Sequence, residues 1–380
     1  MRSLFKKVLA GAGALALVAS AGACSAEREG GSASGDQSGN ASAAAGEGGT
    51  IGVSMPTKSL ERWNRDGAGL QKQLEDMGYS VSLQYADNKP EQQISQIQNM
   101  VNEGVKVLVV APIDGGAMGP VLDQAKGKEI PVIAYDRLIT DTESVDYYAT
   151  FDNYSVGKLQ GEYIEKTLDL AGAGKGPFNF EPFSGSPDDN NARFFFEGAY
   201  DVLKPYVDSG QLVTPSGKMP KSVDDWQSIG IQAWMAPAAQ SEMETRLNSF
   251  YSDKKVDAVL TPNDALALGV TQALESSGYN ESDWPVLTGQ DADQANVVNI
   301  LAGKQGMTVW KDTRALADQV AKMTDQIVKG ETVEVNDEES YDNGKKVIPS
   351  YLLDPIVITK DNVKSELVDS DFYKASDLGL

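Results

Sequence analysis

The chain has no histidine and one cysteine, Cys24, in 380 residues. The first absence excludes a histidine-ligated metal site, a Ser-His-Asp triad and a Cys-His pair. The second excludes an intrachain disulfide. Positive charge is also scarce: 33 Lys and Arg stand against 55 Asp and Glu, a formal net charge of -22. Nucleic acid requires basic faces, and anionic lipid attracts basic patches, so charge supports neither as a partner. The acidity reads as a solubility feature.

What is present is an ordinary globular composition, 41% hydrophobic and 23% charged. The length exceeds what one core usually supports, so two domains are expected.

Arg2, Lys6 and Lys7 precede an apolar run at 8–18 that is too short to span a bilayer comfortably. Small residues at 20–23 then lead to Cys24. The segment resembles a bacterial lipoprotein signal, in which cleavage leaves the cysteine first and a diacylglycerol thioether anchors it. Ala21 stands where that signal usually carries Leu. The resemblance implies a signal peptide at 1–23 and lipidation of Cys24; the alternative is an ordinary signal with an incidental cysteine. The Gly, Ser and Ala-rich stretch to residue 49 cannot bury enough apolar surface to fold, so 24–49 reads as a flexible tether.

From residue 50 strand-like and helix-like patterns alternate. Strands are expected at 50–54, 81–85, 105–111, 131–135 and 147–151, with helices at 60–77, 90–102 and 121–126 between them. The alternation then resumes. Helices are expected at 156–170, 191–203, 237–251, 265–276, 295–301 and 316–328, and strands at 177–181, 256–260, 286–288 and 307–310. Repeated β-α units of this length imply parallel sheets with right-handed crossovers. Two such series suggest two lobes with a cleft between them.

The informative residues sit where strands stop. The apolar run Pro131-Val-Ile-Ala-Tyr135 ends abruptly in Asp136 and Arg137. Charges at the end of a buried strand are costly unless they meet polar partners, and ligands of open α/β sheets bind just beyond the carboxyl strand ends. Other strand ends carry Arg62 and Trp63, Asp152 and Asn153, Asp189 and Asn191, Asn263 and Asp264, Asp291 and Asp293, and Lys311 and Asp312. This repertoire suits a polyhydroxylated, uncharged ring. Carboxylates accept from hydroxyls, Arg and Lys donate to them, and Asn does either. Trp63 and Trp234 are candidate walls for the apolar C–H faces of a pyranose. Each residue also has a plainer role open to it. Asp189, Asn191, Asn263 and Asp291 sit where helix caps sit, Arg137 is placed to pair with Asp136, and Trp234 is a candidate core residue.

Taken together, Leu60-Glu-Arg-Trp63, Ala134-Tyr-Asp-Arg137, Phe151-Asp-Asn153, Gly185-Ser-Pro-Asp-Asp-Asn-Asn-Ala192, Asn263-Asp264, Gly289-Gln-Asp-Ala-Asp293 and Val309-Trp-Lys311 resemble the periplasmic xylose-binding proteins and the multiple-monosaccharide receptors. Val202-Leu-Lys-Pro-Tyr-Val-Asp-Ser-Gly210 and Val347-Ile-Pro-Ser-Tyr-Leu-Leu353 extend the likeness, which covers essentially all of residues 50–380. The resemblance implies a type I periplasmic-binding-protein fold: two doubly wound parallel-sheet lobes joined by a three-segment hinge. The first lobe would comprise 50–152 and 312–340, and the second 153–311 and 341–380, with crossings near 151–153, 310–311 and 341–346. Arg62, Trp63, Asp136 and Arg137 would bind the ligand from the first lobe. Asp189, Asn191, Trp234, Asn263 and Asp291 would do so from the second, and Lys311 from the hinge.

The function so implied is that of an exported, lipid-anchored monomer outside the cytoplasmic membrane. It would capture an aldose such as xylose, glucose, galactose or arabinose and deliver it to an ABC permease. No cofactor, metal or nucleic acid is expected, and the lipid anchor is the expected membrane contact. Three rivals stay open: a glycosidase using Asp136 with Asp189 or Asp291, a receptor for another small polar ligand such as a furanose, and a sugar-responsive repressor. Arg137 beside Asp136 argues against the first and the export signal against the last.

Overall fold

A computed structural model describes residues 48–172 and 175–380. The signal segment, Cys24 and most of the tether lie outside the described residues.

The first run of the chain is β1 (Thr50–Met55), α1 (Glu61–Asp76), β2 (Ser80–Tyr85), α2 (Pro90–Glu103), β3 (Leu108–Val110), α3 (Gly119–Gly127), β4 (Val132–Tyr135) and β5 (Tyr147–Phe151). The second is α4 (Asn153–Leu168), β6 (Phe178–Pro182), α5 (Asn191–Asp208), β7 (Leu212–Val213), α6 (Ala236–Phe250), β8 (Ala258–Leu260), α7 (Asp264–Ser276), β9 (Val286–Leu287), α8 (Gln294–Leu301) and β10 (Thr308–Trp310). The chain closes with α9 (Thr313–Lys329), β11 (Ser350–Leu353) and β12 (Ile356–Ile358).

Local chemistry explains the boundaries. Pro90 opens α2, where its missing N–H costs nothing, and Gly104 ends it in the left-handed conformation at φ 76°. Asp152 and Asp312 each cap the helix that follows with a side-chain oxygen. α5 runs on to Asp208 rather than ending near 203, although Pro205 lies inside it and removes one helical N–H.

The first sheet has the order β11-β5-β4-β3-β1-β2, with parallel pairing throughout. Alternate residues face opposite sides. Val109, Ile133 and Tyr135 join the core beneath α1 and α9, while Leu108, Val110, Val132 and Ala134 join the core beneath α2 and α3. Burial on both faces is why these strands read as continuous apolar runs. The second sheet runs β7-β6-β8-β9 in parallel, and a bridge between Gln290 and Val309 carries it on to the antiparallel pair β10-β12. Both sheets are wound in the same order, and loops beyond the carboxyl ends of strands in both line one cavity.

The chain passes between sheets from β5 to α4, from β10 to α9 and from β11 to β12. The third passage corrects the sequence reading, which put it near 341–346 and assigned all of 341–380 to the second lobe. β11 pairs in parallel with β5, with Ser350 opposite Tyr148 and Leu353 opposite Phe151. Ile348, Leu352 and Tyr341 pack on one face of the first sheet, and Tyr351 and Leu353 on the other. This strand covers the edge that β5 would otherwise leave open. The crossing is therefore Asp354-Pro355.

Candidate functional site

Each candidate side chain is set by a strand end or the helix start after it. Arg62 and Trp63 lie in the first turn of α1, Asp136 and Arg137 follow β4, and Asp189 and Asn191 stand at the start of α5. Trp234 lies in the turn before α6, Asn263 caps α7, Asp291 follows β9 and Lys311 follows β10. All ten line one cavity. Leu60, Phe195 and Gln290 complete the lining. The sequence reading missed these three. Leu60 and Phe195 look like core residues, whereas Gln290 stood in the Gly289–Asp293 strand-end motif and was legible there.

Buried charge organises the cavity. Arg62 meets three carboxylates, Asp136 at 2.8 Å, Asp66 at 3.0 Å and Asp291 at 3.2 Å. Lys311 meets Asp136 at 3.3 Å and Asp291 at 3.6 Å. Arg137 does not pair with Asp136, the plainer role open to it in the sequence. Its Nε lies 2.9 Å from Asp189 Oδ2 in the other lobe, and its Nη1 donates to the Pro112 carbonyl at 3.2 Å. Behind Arg62, Asp66 also accepts from the Tyr135 hydroxyl at 2.5 Å. Breaking such a buried pair by removing one partner typically costs ~3–5 kcal/mol.

Burial opposes ionisation of Asp136, but Arg62, Lys311 and Arg137 outweigh it and hold the carboxyl below its usual range. At Asp189 burial wins over the attraction of Arg137, and the pKa is raised. Its oxygens are nevertheless spoken for: Oδ1 accepts from the Asn191 N–H at 3.0 Å, and Oδ2 accepts from Trp234 Nε1–H at 3.2 Å and forms the ion pair with Arg137. Asp189 is thus a fixed acceptor.

The two tryptophans are held differently. The guanidinium carbons of Arg62 and Arg137 lie 4.5 and 5.2 Å from the Trp63 ring centroid. Trp234 sits in a left-handed turn at φ 57° and meets Phe195 edge-on at 6.3 Å. Gly185 makes that position possible, because a Cβ there would lie 2.0 Å from Trp234 Cη2. Asn191 donates from Nδ2 to the Asp136 carbonyl at 2.6 Å and accepts at Oδ1 from the Tyr148 hydroxyl at 3.1 Å. Asn263 caps α7 with Oδ1 and lines the cavity as well, so capping and lining coexist in one residue.

Two further features of the cavity are of the kind expected at a ligand site. Asp136, Trp234 and Asp291 adopt positive φ of 58°, 57° and 97°, and such strain in side-chain-bearing residues clusters at binding sites. Trp63 Nε1 and Gln290 Oε1 are buried with no hydrogen-bond partner among the described residues, one donor and one acceptor. Among the described residues no group of carboxylates is arranged to hold a metal ion.

Comparison with known proteins places the chain in a family. A family model for the periplasmic binding protein domain matches residues 51–332. The multiple sugar-binding periplasmic receptor ChvE of Rhizobium radiobacter is 47% identical over 340 residues, 89% of this chain and 94% of that protein. The D-xylose-binding periplasmic protein of Escherichia coli (strain K12) is 38% identical over 86% of this chain and 92% of its own. An ABC transporter solute binding protein from Clostridium phytofermentans, solved with bound β-D-glucose, superposes with a TM-score of 0.83 at 54% identity, covering 87% of this chain and 99% of that one.

Proposed function

The chain belongs to the periplasmic binding protein domain family, and from that premise we propose that its cavity is the seat of a single monosaccharide gripped by both lobes. The fold is the type I fold of that family. The family is one of solute-binding proteins and not of enzymes, so the glycosidase and repressor alternatives are withdrawn. The chain is an extracytoplasmic receptor of ABC sugar import.

One observation carries the ligand assignment. Residues from both lobes line one cavity whose walls carry carboxylates, guanidiniums, an ammonium and amides together with the indoles of Trp63 and Trp234. That set pairs neutral hydroxyls of every orientation and packs on C–H faces. The ligand residues in this reading are Arg62, Trp63, Asp136, Arg137, Asp189, Asn191, Trp234, Asn263, Asp291 and Lys311, joined by Gln290. The ligand is an aldose of the glucose or xylose kind, as the relatives' ligands suggest. The first lobe comprises 50–152 and 312–353, and the second 153–311 and 354–380.

The protein works as a monomer, held to the outer face of the cytoplasmic membrane through a lipid on Cys24. Support for the anchor comes from the basic, apolar and small-residue order before the chain's single cysteine. Mass spectrometry of the N-terminal peptide from membrane fractions tests it. A diacylglycerol adduct at Cys24 is expected; an unmodified Cys24 rules the anchor out. The ligand is tested by native mass spectrometry of protein purified without added sugar. The expected result is an adduct with the mass of one pentose or hexose. Copurification of a different class of ligand in its place overturns the assignment.

A further inference from the structure

The lobes also meet outside the cavity, through the end of the chain. Val363, Leu367, Tyr373 and Leu378 pack with Val297, Ile300 and Trp310 in a second-lobe core. From that anchorage Phe372 and Tyr373 face side chains of the first lobe. The Arg65 guanidinium of α1 lies 4.7 Å from the Phe372 ring centroid and 4.8 Å from that of Tyr373. Arg65 also donates to the Tyr373 hydroxyl and to the Glu61 carboxylate. The Tyr373 hydroxyl lies 3.1 Å from Glu61 Oε1 and 2.9 Å from the Ala292 carbonyl, between a first-lobe acid and second-lobe backbone. Glu61 Oε2 accepts from the Gln294 N–H at 3.3 Å, at the start of α8, where free N–H groups favour a carboxylate. Next to the hinge, Arg314 of α9 donates to the Ser370 carbonyl at 2.7 Å and lies 5.3 Å from the Phe372 ring. Phe372 is thus flanked by two first-lobe guanidiniums, and it meets Trp310, the residue before the hinge lysine, at 5.1 Å.

These cross-lobe contacts share two properties. The contacts of Glu61 and Arg65 with Phe372, Tyr373 and Gln294 join groups on different lobes, so separating the lobes there would break them. None of Glu61, Arg65, Phe372 or Tyr373 lines the sugar cavity. We propose that these four residues form a latch that sets the balance between open and closed forms, and thereby scales the affinity for every ligand by one factor. A protein whose binding-competent form is partly populated binds with its intrinsic affinity reduced by that fraction. A contact made in the closed form alone raises the fraction, and it cannot tell one sugar from another because it touches none. Arg65 is in this sense a positioning residue. Burial keeps the Tyr373 phenol far above its usual pKa, so it remains a donor throughout the working range of pH.

The latch rests on the sugar-receptor reading, and its test separates the two. D-glucose and D-xylose are titrated calorimetrically into the mature wild type, Arg65→Gln and Tyr373→Phe, with dissociation rates taken from tryptophan fluorescence. Both Kd values are expected to rise about tenfold in each variant, equivalent to ~1.4 kcal/mol. The Kd ratio between the two sugars stays within twofold, and the rise falls on the dissociation rate. Tyr373→Phe keeps the ring and its packing, so it remains informative if Arg65→Gln misfolds. Unchanged affinities in Tyr373→Phe overturn the latch and leave the receptor reading intact. A ratio shifted more than threefold also overturns it, since the residues would then act on the ligand itself. Absence of binding to the wild type sinks both.

Discussion

Arg137 and Asp189 lie on opposite lobes and meet at 2.9 Å, although Arg137 is adjacent in sequence to another carboxylate, Asp136. The left-handed backbone at Asp136, φ 58°, turns the two neighbours apart. Asp136 is met instead by Arg62 and Lys311. Arg137 thus pairs across the cleft, while Asp136 is held by Arg62 of its own lobe and by Lys311 at the hinge.

Arg137→Gln therefore removes a bond between lobes and strands a buried carboxylate. Sugar affinity should fall about 100-fold, ~3 kcal/mol, which is the lower end for breaking a buried pair. Calorimetry beside a thermal melt checks it. The melt of the sugar-free protein should move far less than the affinity does. A variant that binds like wild type removes Arg137 from the site.

Gly185→Ala tests the seat of Trp234. The added Cβ would fall 2.0 Å from Trp234 Cη2, a separation no real pair tolerates, so the indole must move. Overpacking of this kind costs ~1–3 kcal/mol. Sugar binding should weaken by 10-fold or more, and the tryptophan emission should shift while the far-ultraviolet dichroism stays unchanged. Unaltered emission together with unaltered binding contradicts the placement.

The acid limb of stability depends on Asp136. Its carboxyl pKa is lowered in the fold, against burial, by Arg62, Lys311 and Arg137. A lowered carboxylate contributes fully above its unfolded value of ~3.9 and loses that contribution as pH falls through the native value. Urea unfolding of Asp136→Asn without sugar should show a deficit against wild type of about 3 kcal/mol at pH 7 that narrows below pH ~4. A gap independent of pH contradicts the pairing.

Asp293 has the opposite sign. Burial, then Asp291 and Glu61, push its carboxyl up to about 8. The unfolded chain ionises this group from pH ~4 upward while the native protein keeps its proton, so stability declines until pH reaches the native value. Asp293→Asn should lessen that decline and gain on wild type between pH 5 and pH 8 in thermal melts. A parallel pair of curves contradicts it.

Much of the site was legible in the sequence because its residues close buried strands, where apolar runs stop at charged or amide groups. Asp136, Asp291 and Lys311 could be found that way, and Gln290 was within reach of the same rule. What the sequence hides is pairing. No local pattern says that Arg137 answers Asp189 and not Asp136, since that depends on one positive φ. The edge strand Ser350–Leu353 was hidden for a related reason. Its run Tyr351-Leu352-Leu353 is plainly apolar, but which sheet it completes is decided by the open flank of β5, some two hundred residues earlier. Leu60 and Phe195 look like core residues and line the cavity all the same.

The most direct test is a calorimetric titration of the mature protein, without its signal segment, against D-glucose, D-xylose, D-galactose and L-arabinose. One sugar per chain should bind saturably to at least one of the four, with a negative heat-capacity change from burial of apolar surface. A folded protein that gives no binding heat with any of them, at any temperature tried, contradicts the account.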